Sequence, residues 1–301
     1  MTEHGSTLLH FTLWSRIVGI VLPLLIIAVN SLEIHVLRKI ANKHFYEKVL
    51  LSLSVCDLIS GVLGIIIVPI DSILRDELHL MLFWNIWGFG ICYVVLTTLV
   101  HLIIISFDRL WATGAPFHHR IYTTRKKLFV SIALSWCLPI IFVLVNIILV
   151  STREMGVREV YSYLRNTMYS GLATIIIIAD FPLFLSYCSI TWIIYRTNNN
   201  VKQRQEKRQK VPINTLIICV GIVSVFILFT TPYAVIHVRA WNRPPWLVKL
   251  GIGLFPLSQI SNSLIYLIQR YRSKRKVNAK MKKVQEIAMM EKRNFEERFH
   301  H

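Results

Sequence analysis

Seven apolar runs dominate this sequence, at 16–37, 49–70, 84–106, 128–150, 174–195, 213–237 and 247–268. Each reaches the roughly 20 helical residues that the hydrocarbon core of a bilayer requires. In lipid every backbone polar group must be satisfied within the protein, so runs of this length fold as helices. The expected fold is therefore an all-α membrane protein, a seven-transmembrane helix bundle in one domain. Residues 1–15 form its outer N-terminus, 16–268 the bundle, and 269–301 a short cytoplasmic amphipathic helix with a basic tail. Composition agrees, with 54% hydrophobic residues, 17% charged and a mean hydropathy of +0.53. A soluble chain carries about 25% charged residues.

The formal net charge is +18. A balance this basic raises nucleic-acid binding first, but the placement of the charges excludes it. Arg38, Lys39, Lys43 and Lys48 follow the first run; Arg120, Arg125, Lys126 and Lys127 follow the third. Arg196, Lys202, Arg204, Lys207, Arg208 and Lys210 follow the fifth, and a dense basic tail follows the seventh. The alternate connections mix signs, as in Asp71, Arg75, Asp76 and Glu77. The positive-inside rule then puts the N-terminus outside and the C-terminus in the cytoplasm of a multi-pass membrane protein. Met1–His10 is polar and precedes a run long enough to span, so that run is expected to serve as its own targeting signal. In the tail, Val277, Met281, Val284 and Ile287 recur at helical spacing among lysines, a pattern suited to an anionic lipid surface.

Polar groups inside the runs carry the functional information, because each costs free energy in lipid and turns toward the bundle interior. They include Asn30, Asp57, His101 and Asp180, with Thr230-Thr231-Pro232-Tyr233 in the sixth run and Asn262-Ser263 in the seventh. The third run ends in Asp108-Arg109, two charges able to pair where the helix leaves lipid. Asp180 is expected to meet either a cationic ligand group or a neighbouring side chain such as His101. The five cysteines all fall inside apolar runs and no spacing suits zinc. An intramembrane enzyme would need histidines and carboxylates at compatible depth. His118 and His119 instead lie side by side in a connection, so an enzyme is not expected.

In order along the chain, these marks resemble a rhodopsin-like (class A) G-protein-coupled receptor, and they do so over nearly the whole length. They are Asn30, Leu53 with Asp57, Asp108-Arg109 with Pro116, Trp136, Pro182, Phe226 with Pro232, and Asn262 with Tyr266. The resemblance implies that Arg109 releases from Asp108 to contact a heterotrimeric G protein. It also implies that Pro116 and Phe117 dock that partner, and that Tyr266 turns inward on activation. Asp57, Thr98, Ser258 and Asn262 match the family's sodium and water pocket, so a sodium ion at Asp57 is the one cofactor implied. Asn30, Trp136, Pro182, Phe226 and Pro232 match structural positions. Cys92, Thr174, Tyr233, His237 and Ile252 would line an outer cavity for a small extracellular ligand.

The departures mark a divergent member, of invertebrate type. Trp84 stands where most members have the cysteine that braces the second outer loop. Thr230 replaces the sixth-helix tryptophan, Ser263 the seventh-helix proline and Ile190 the tyrosine that helps hold the released arginine. Ile91 stands where amine receptors keep an aspartate, and Pro256 where opsins keep the retinal lysine. A receptor-like protein that no longer signals is one alternative. A transporter using Asp57 and Asp180 is the other, although the paired broken helices of transporter repeats are not evident.

Overall fold

The structure is a computed structural model that describes residues 2–41, 43–73, 77–153, 155–163, 167–201, 213–238 and 245–299. The described residues form nine helices: α1 (Thr2–Arg38), α2 (Phe45–Ile73), α3 (Glu77–Gly114), α4 (Pro116–Tyr122), α5 (Arg125–Thr152), α6 (Val157–Tyr163), α7 (Tyr169–Val201), α8 (Ile213–Val238) and α9 (Pro245–Phe299). All seven apolar runs fall on the seven long helices. The two short ones, α4 and α6, lie in connections. Among the described residues five helices are long and apolar enough to cross a membrane on those grounds alone: Gly19–Arg38, Phe45–Ile66, Ile86–Gly114, Arg125–Thr152 and Tyr169–Ile193.

Helix α3 is the axis of the bundle, packing against α2, α4, α5, α6, α7 and α8. The other contacts run α1 to α2, α2 to α5, α7 to α8, α8 to α9 and α9 back to α1, so that α3 closes the circuit between α2 and α7. Burial follows from this placement. Cys92, Val95, Leu99, Leu102 and Ile105 on α3 are buried, at the i, i+3, i+4 spacing of an inward face. Leu172, Ile176, Leu183 and Ile190 form the matching stripe on α7. Helix α5 is the least enclosed, with Phe129, Ile141 and Ile148 exposed; these side chains face lipid.

Local chemistry sets several of the boundaries. Pro116 opens α4 at a position where its missing N–H costs nothing. The Thr124 hydroxyl caps α5 by accepting from the Lys127 amide at 3.3 Å. Helices α1 and α2 approach closely at Pro23. A Cβ on Gly61 would lie 2.9 Å from Ile27 Cγ1 and 3.1 Å from the Pro23 carbonyl oxygen, so any side chain there would push Ile27 and the α1 backbone aside.

The tail departs from expectation. The basic run after Ile268 suggests a separate short helix on the membrane surface, yet α9 continues without a break from Pro245 to Phe299, 55 residues. The physical reason is local. After Pro256 this segment has neither proline nor glycine, and it is rich in Lys, Arg, Glu, Met and Ala, all good helix formers. Charge marks where the chain leaves lipid; it does not mark where the helix ends.

Candidate functional site

The inner end of α3 carries the cluster with the most developed chemistry. Asp108 and Arg109 are both buried, at 7% and 8% exposure. Asp108 Oδ2 accepts from Arg109 Nε at 2.9 Å and also pairs with Nη2. Its other oxygen, Oδ1, lies 2.7 Å from His119 Nε2 on α4. The Arg109 guanidinium sits 4.4 Å from the ring centroid of Tyr46, a cation–π contact from α2. Tyr46 is placed by the start of α2, where Glu47 Oε2 accepts from the His44 amide at 2.9 Å. Arg109 is thus held between the carboxylate of its neighbour and a buried ring.

Beyond this pair, Ser106 Oγ donates to the Leu102 carbonyl (2.7 Å) and lies 3.2 Å from the Tyr187 hydroxyl. Tyr187 is buried on α7, one turn before Ile190, which is buried as well. Pro116 and Phe117 are exposed on α4, Phe117 at 78%. Tyr266 is buried, and its hydroxyl has no hydrogen-bond partner.

A second polar cluster lies deeper. Asp57 Oδ1 accepts from Gln259 Nε2 at 3.0 Å and from Thr98 Oγ1 at 3.4 Å. Gln259 is itself oriented by Ser60, which donates to Oε1 at 3.2 Å. Ser258 satisfies its hydroxyl on its own helix, donating to the Phe255 carbonyl at 2.7 Å. Asn262 is buried with both amide atoms unpaired. Of the four expected pocket residues, hydrogen bonding therefore joins Asp57 to Thr98 and leaves Ser258 and Asn262 apart. A hard cation needs oxygen ligands, whereas Gln259 aims an N–H at the carboxylate oxygen that Thr98 shares. These residues do not fit a sodium ion on that oxygen.

Next to it, α1 and α9 are tied together by Ser263. Its hydroxyl lies 2.7 Å from Asn30 Oδ1 and also contacts Glu33 Oε2. Asn30 Nδ2 donates back to the Ile26 carbonyl at 2.9 Å. Glu33 is buried, and its Oε1 has no partner.

His101 and Trp136 meet at Ser52. Trp136 Nε1 donates to Ser52 Oγ at 2.9 Å, and Ser52 Oγ lies 2.9 Å from His101 Nε2. His101 Nδ1 lies 2.7 Å from the Thr97 carbonyl. One tautomer satisfies every group: the indole N–H donates to Ser52, Ser52 donates to Nε2, and Nδ1–H donates to Thr97. His101 therefore does not meet Asp180, which corrects that expectation. Asp180 Oδ2 instead accepts from Thr231 Oγ1 at 2.9 Å, and Oδ1 is buried without a partner.

Toward the outer side, Cys92 is fully buried on α3. Thr174 is exposed and donates to the Ser170 carbonyl within α7 at 2.9 Å, so no polar contact brings it to Cys92. The side chains of Trp84, Tyr233, His237 and Ile252 lie outside the described residues, as do Pro212 and the 202–210 basic stretch. Pro182 and Pro232 lie inside α7 and α8, and Phe226 is buried in the core. The outer connection is braced through Tyr163 on α6, whose hydroxyl donates to Asn146 Oδ1 at 2.8 Å. All five cysteines are free.

Four partners were not singled out from the sequence: His119, Gln259, Glu33 as the Ser263 contact, and Tyr46. Glu33 did carry a signal, being an acid within an apolar run. The others are ordinary residues made significant by a partner on another helix.

The family description "7 transmembrane receptor (rhodopsin family)" matches residues 30–266. The chain belongs to that family, a group of multi-pass membrane receptors and not enzymes. Comparison with curated proteins finds no match.

Proposed function

We propose that this receptor lies in the plasma membrane with its N-terminus outside, and that it converts binding of a small extracellular ligand into activation of a heterotrimeric G protein. The observation that carries the reading is the Asp108–Arg109 pair, buried at the inner end of the axial helix and stacked on Tyr46. A buried arginine held by Asp108 supplies a two-state element: paired with that carboxylate, or released toward a partner. The exposed Phe117 and Ile121 on α4, one helical turn apart, offer the partner an apolar contact beside it. The outer ligand would sit near Cys92, with Thr174, Tyr233, His237 and Ile252 as its proposed surroundings. The basic face of the tail would meet anionic lipid at the inner leaflet.

The test is basal G-protein activation in cells, across G-protein classes, comparing the wild-type chain with Arg109→Ala at matched surface expression. Activity in the wild type that the variant loses supports the reading. Equal activity in both overturns the role given to Arg109. A substrate accumulating inside the cells would favour the transporter.

A further inference from the structure

The tail of α9 carries an exposed apolar surface. Val277, Met281 and Val284 recur at i, i+4 and i+7, and all three are more than half exposed, at 57%, 57% and 61%. At about 100° per residue they lie within about 60° of one another, a narrow stripe. The surface then broadens. Ile287, Met289 and Met290 are exposed as well, and Met289 and Met290 leave the helix on sides about 100° apart. Eight lysines and arginines and no acid lie between Arg270 and Lys283. This whole segment lies beyond residue 266, where the family match ends.

The geometry limits what covers such a segment. A lipid surface takes a helix that lies in the plane of the interface. Helix α9 has no break at which to turn into that plane, and neither proline nor glycine follows Pro256. It carries Val277 about 14 Å and Met290 about 33 Å past Ile268, while headgroups extend roughly 5–8 Å beyond the hydrocarbon. Anionic lipid therefore reaches the basic residues nearest the span and not the apolar stripe. Any flat surface would also leave either Met289 or Met290 uncovered. Two copies of the chain in one membrane run parallel, so their tails would set basic stretch against basic stretch, which opposes pairing.

We propose that residues 277–290 are a docking site for an acidic, two-lobed calcium-sensor protein, which closes round the helix when calcium opens its apolar groove. Calcium-loaded sensors of the EF-hand type expose a methionine-rich groove, and they take amphipathic helices at spaced apolar anchors. Val277 and Met290 are the outer anchors, about 20 Å apart along the axis and about 140° apart around it, so each faces a separate lobe. Met281 and Val284 enter the groove beside Val277. Unbranched methionines on both sides of the contact repack against one another at little cost. The basic residues meet the acidic rim, a complementarity that orients and speeds association. A cytoplasmic partner rests on the orientation proposed above; the docking itself does not depend on G-protein coupling.

The experiment uses the purified full-length protein in phosphatidylcholine nanodiscs, with calmodulin as the probe, titrated in calcium and in EGTA and read by biolayer interferometry. Binding in calcium that is lost in EGTA is expected. Val284→Asp sets a charge in the stripe and is expected to weaken binding by about tenfold or more, the worth of one anchor. Asn278→Asp places the same charge beside the stripe and is expected to change binding by less than about threefold. Both positions are exposed, so neither variant disturbs packing. No calcium-dependent binding, or equal losses in the two variants, overturns the proposal.

Oxidation of Met281, Met289 and Met290 by hydrogen peroxide, read by mass spectrometry, tests the other occupants. Protection that needs both calmodulin and calcium is expected. Protection without the probe overturns the proposal, in favour of lipid if it appears only in phosphatidylserine nanodiscs, and of a second copy if it appears only when one nanodisc holds two chains. No G protein is present in either assay, so the outcome is independent of the role given to Arg109.

Discussion

Ser263 stands where the family motif has proline, and restoring that proline is expected to damage this protein. Ser263 is fully buried on α9, and its hydroxyl is the contact that joins Asn30 and Glu33 of α1 to that helix. Ser263→Pro removes a helical N–H and drives a ring into the preceding turn, at a cost of about 3 kcal/mol in a helix interior. Loss of the hydroxyl adds about 1 kcal/mol, since cross-helix hydrogen bonds in membranes average roughly 0.6 and reach about 1.7 kcal/mol. Glu33 Oε1 is already unpaired, and the proline variant also takes the Ser263 contact from Oε2. The sum is about 4 kcal/mol, or roughly 8 °C in unfolding temperature for a chain of this size. Ser263→Ala removes the hydroxyl alone and is expected to lose only about 2 °C on the same scale. The assay is thermal unfolding of the purified protein in mild detergent, followed by tryptophan fluorescence. A proline variant as stable as the wild type would refute the view that α1 and α9 are held through this hydroxyl.

The other predictions concern the same polar groups. Arg109→Ala is expected to abolish G-protein activation with surface expression unchanged, as measured by nucleotide exchange and surface labelling. Because Gln259 already donates to Asp57, replacing sodium chloride with choline chloride is expected to leave the unfolding temperature of the wild type unchanged. Gln259→Ser, which withdraws the amide, is expected to introduce a sodium-dependent rise; a sodium effect on the wild type would sink the argument. Ser52→Ala leaves both Trp136 Nε1 and His101 Nε2 without a partner and is expected to cost about 1–3 kcal/mol. Ser135 bonds only the Ser131 and Ile132 carbonyls of its own helix among its described hydrogen bonds; Ser135→Ala in the same unfolding assay is expected to cost less than half as much.

Much of the fold is legible in one dimension. A span is announced by its length and apolarity, properties of consecutive residues, and all seven lie on long helices. The Asp108–Arg109 pair is legible for the same reason, its members being neighbours. Partners across helices are a different matter. Gln259 meets Asp57 across 202 positions and Ser263 meets Glu33 across 230, and nothing near any of these four residues announces the other. His119 lies only 11 residues from Asp108, yet its role depends on α4 folding back beneath α3. The single helix of the tail illustrates a different limit: a hydropathy change and a helix end need not coincide.

That continuous α9 has a mechanical consequence. At about 1.5 Å per residue its 55 residues extend about 80 Å, against a hydrocarbon core of about 30 Å. More than half of it therefore extends past a core of that thickness, with no break in the helix at the boundary. A turn of the seventh span about its own axis would carry Arg272, Lys280 and Lys282 around with it, since one helix joins them to the span.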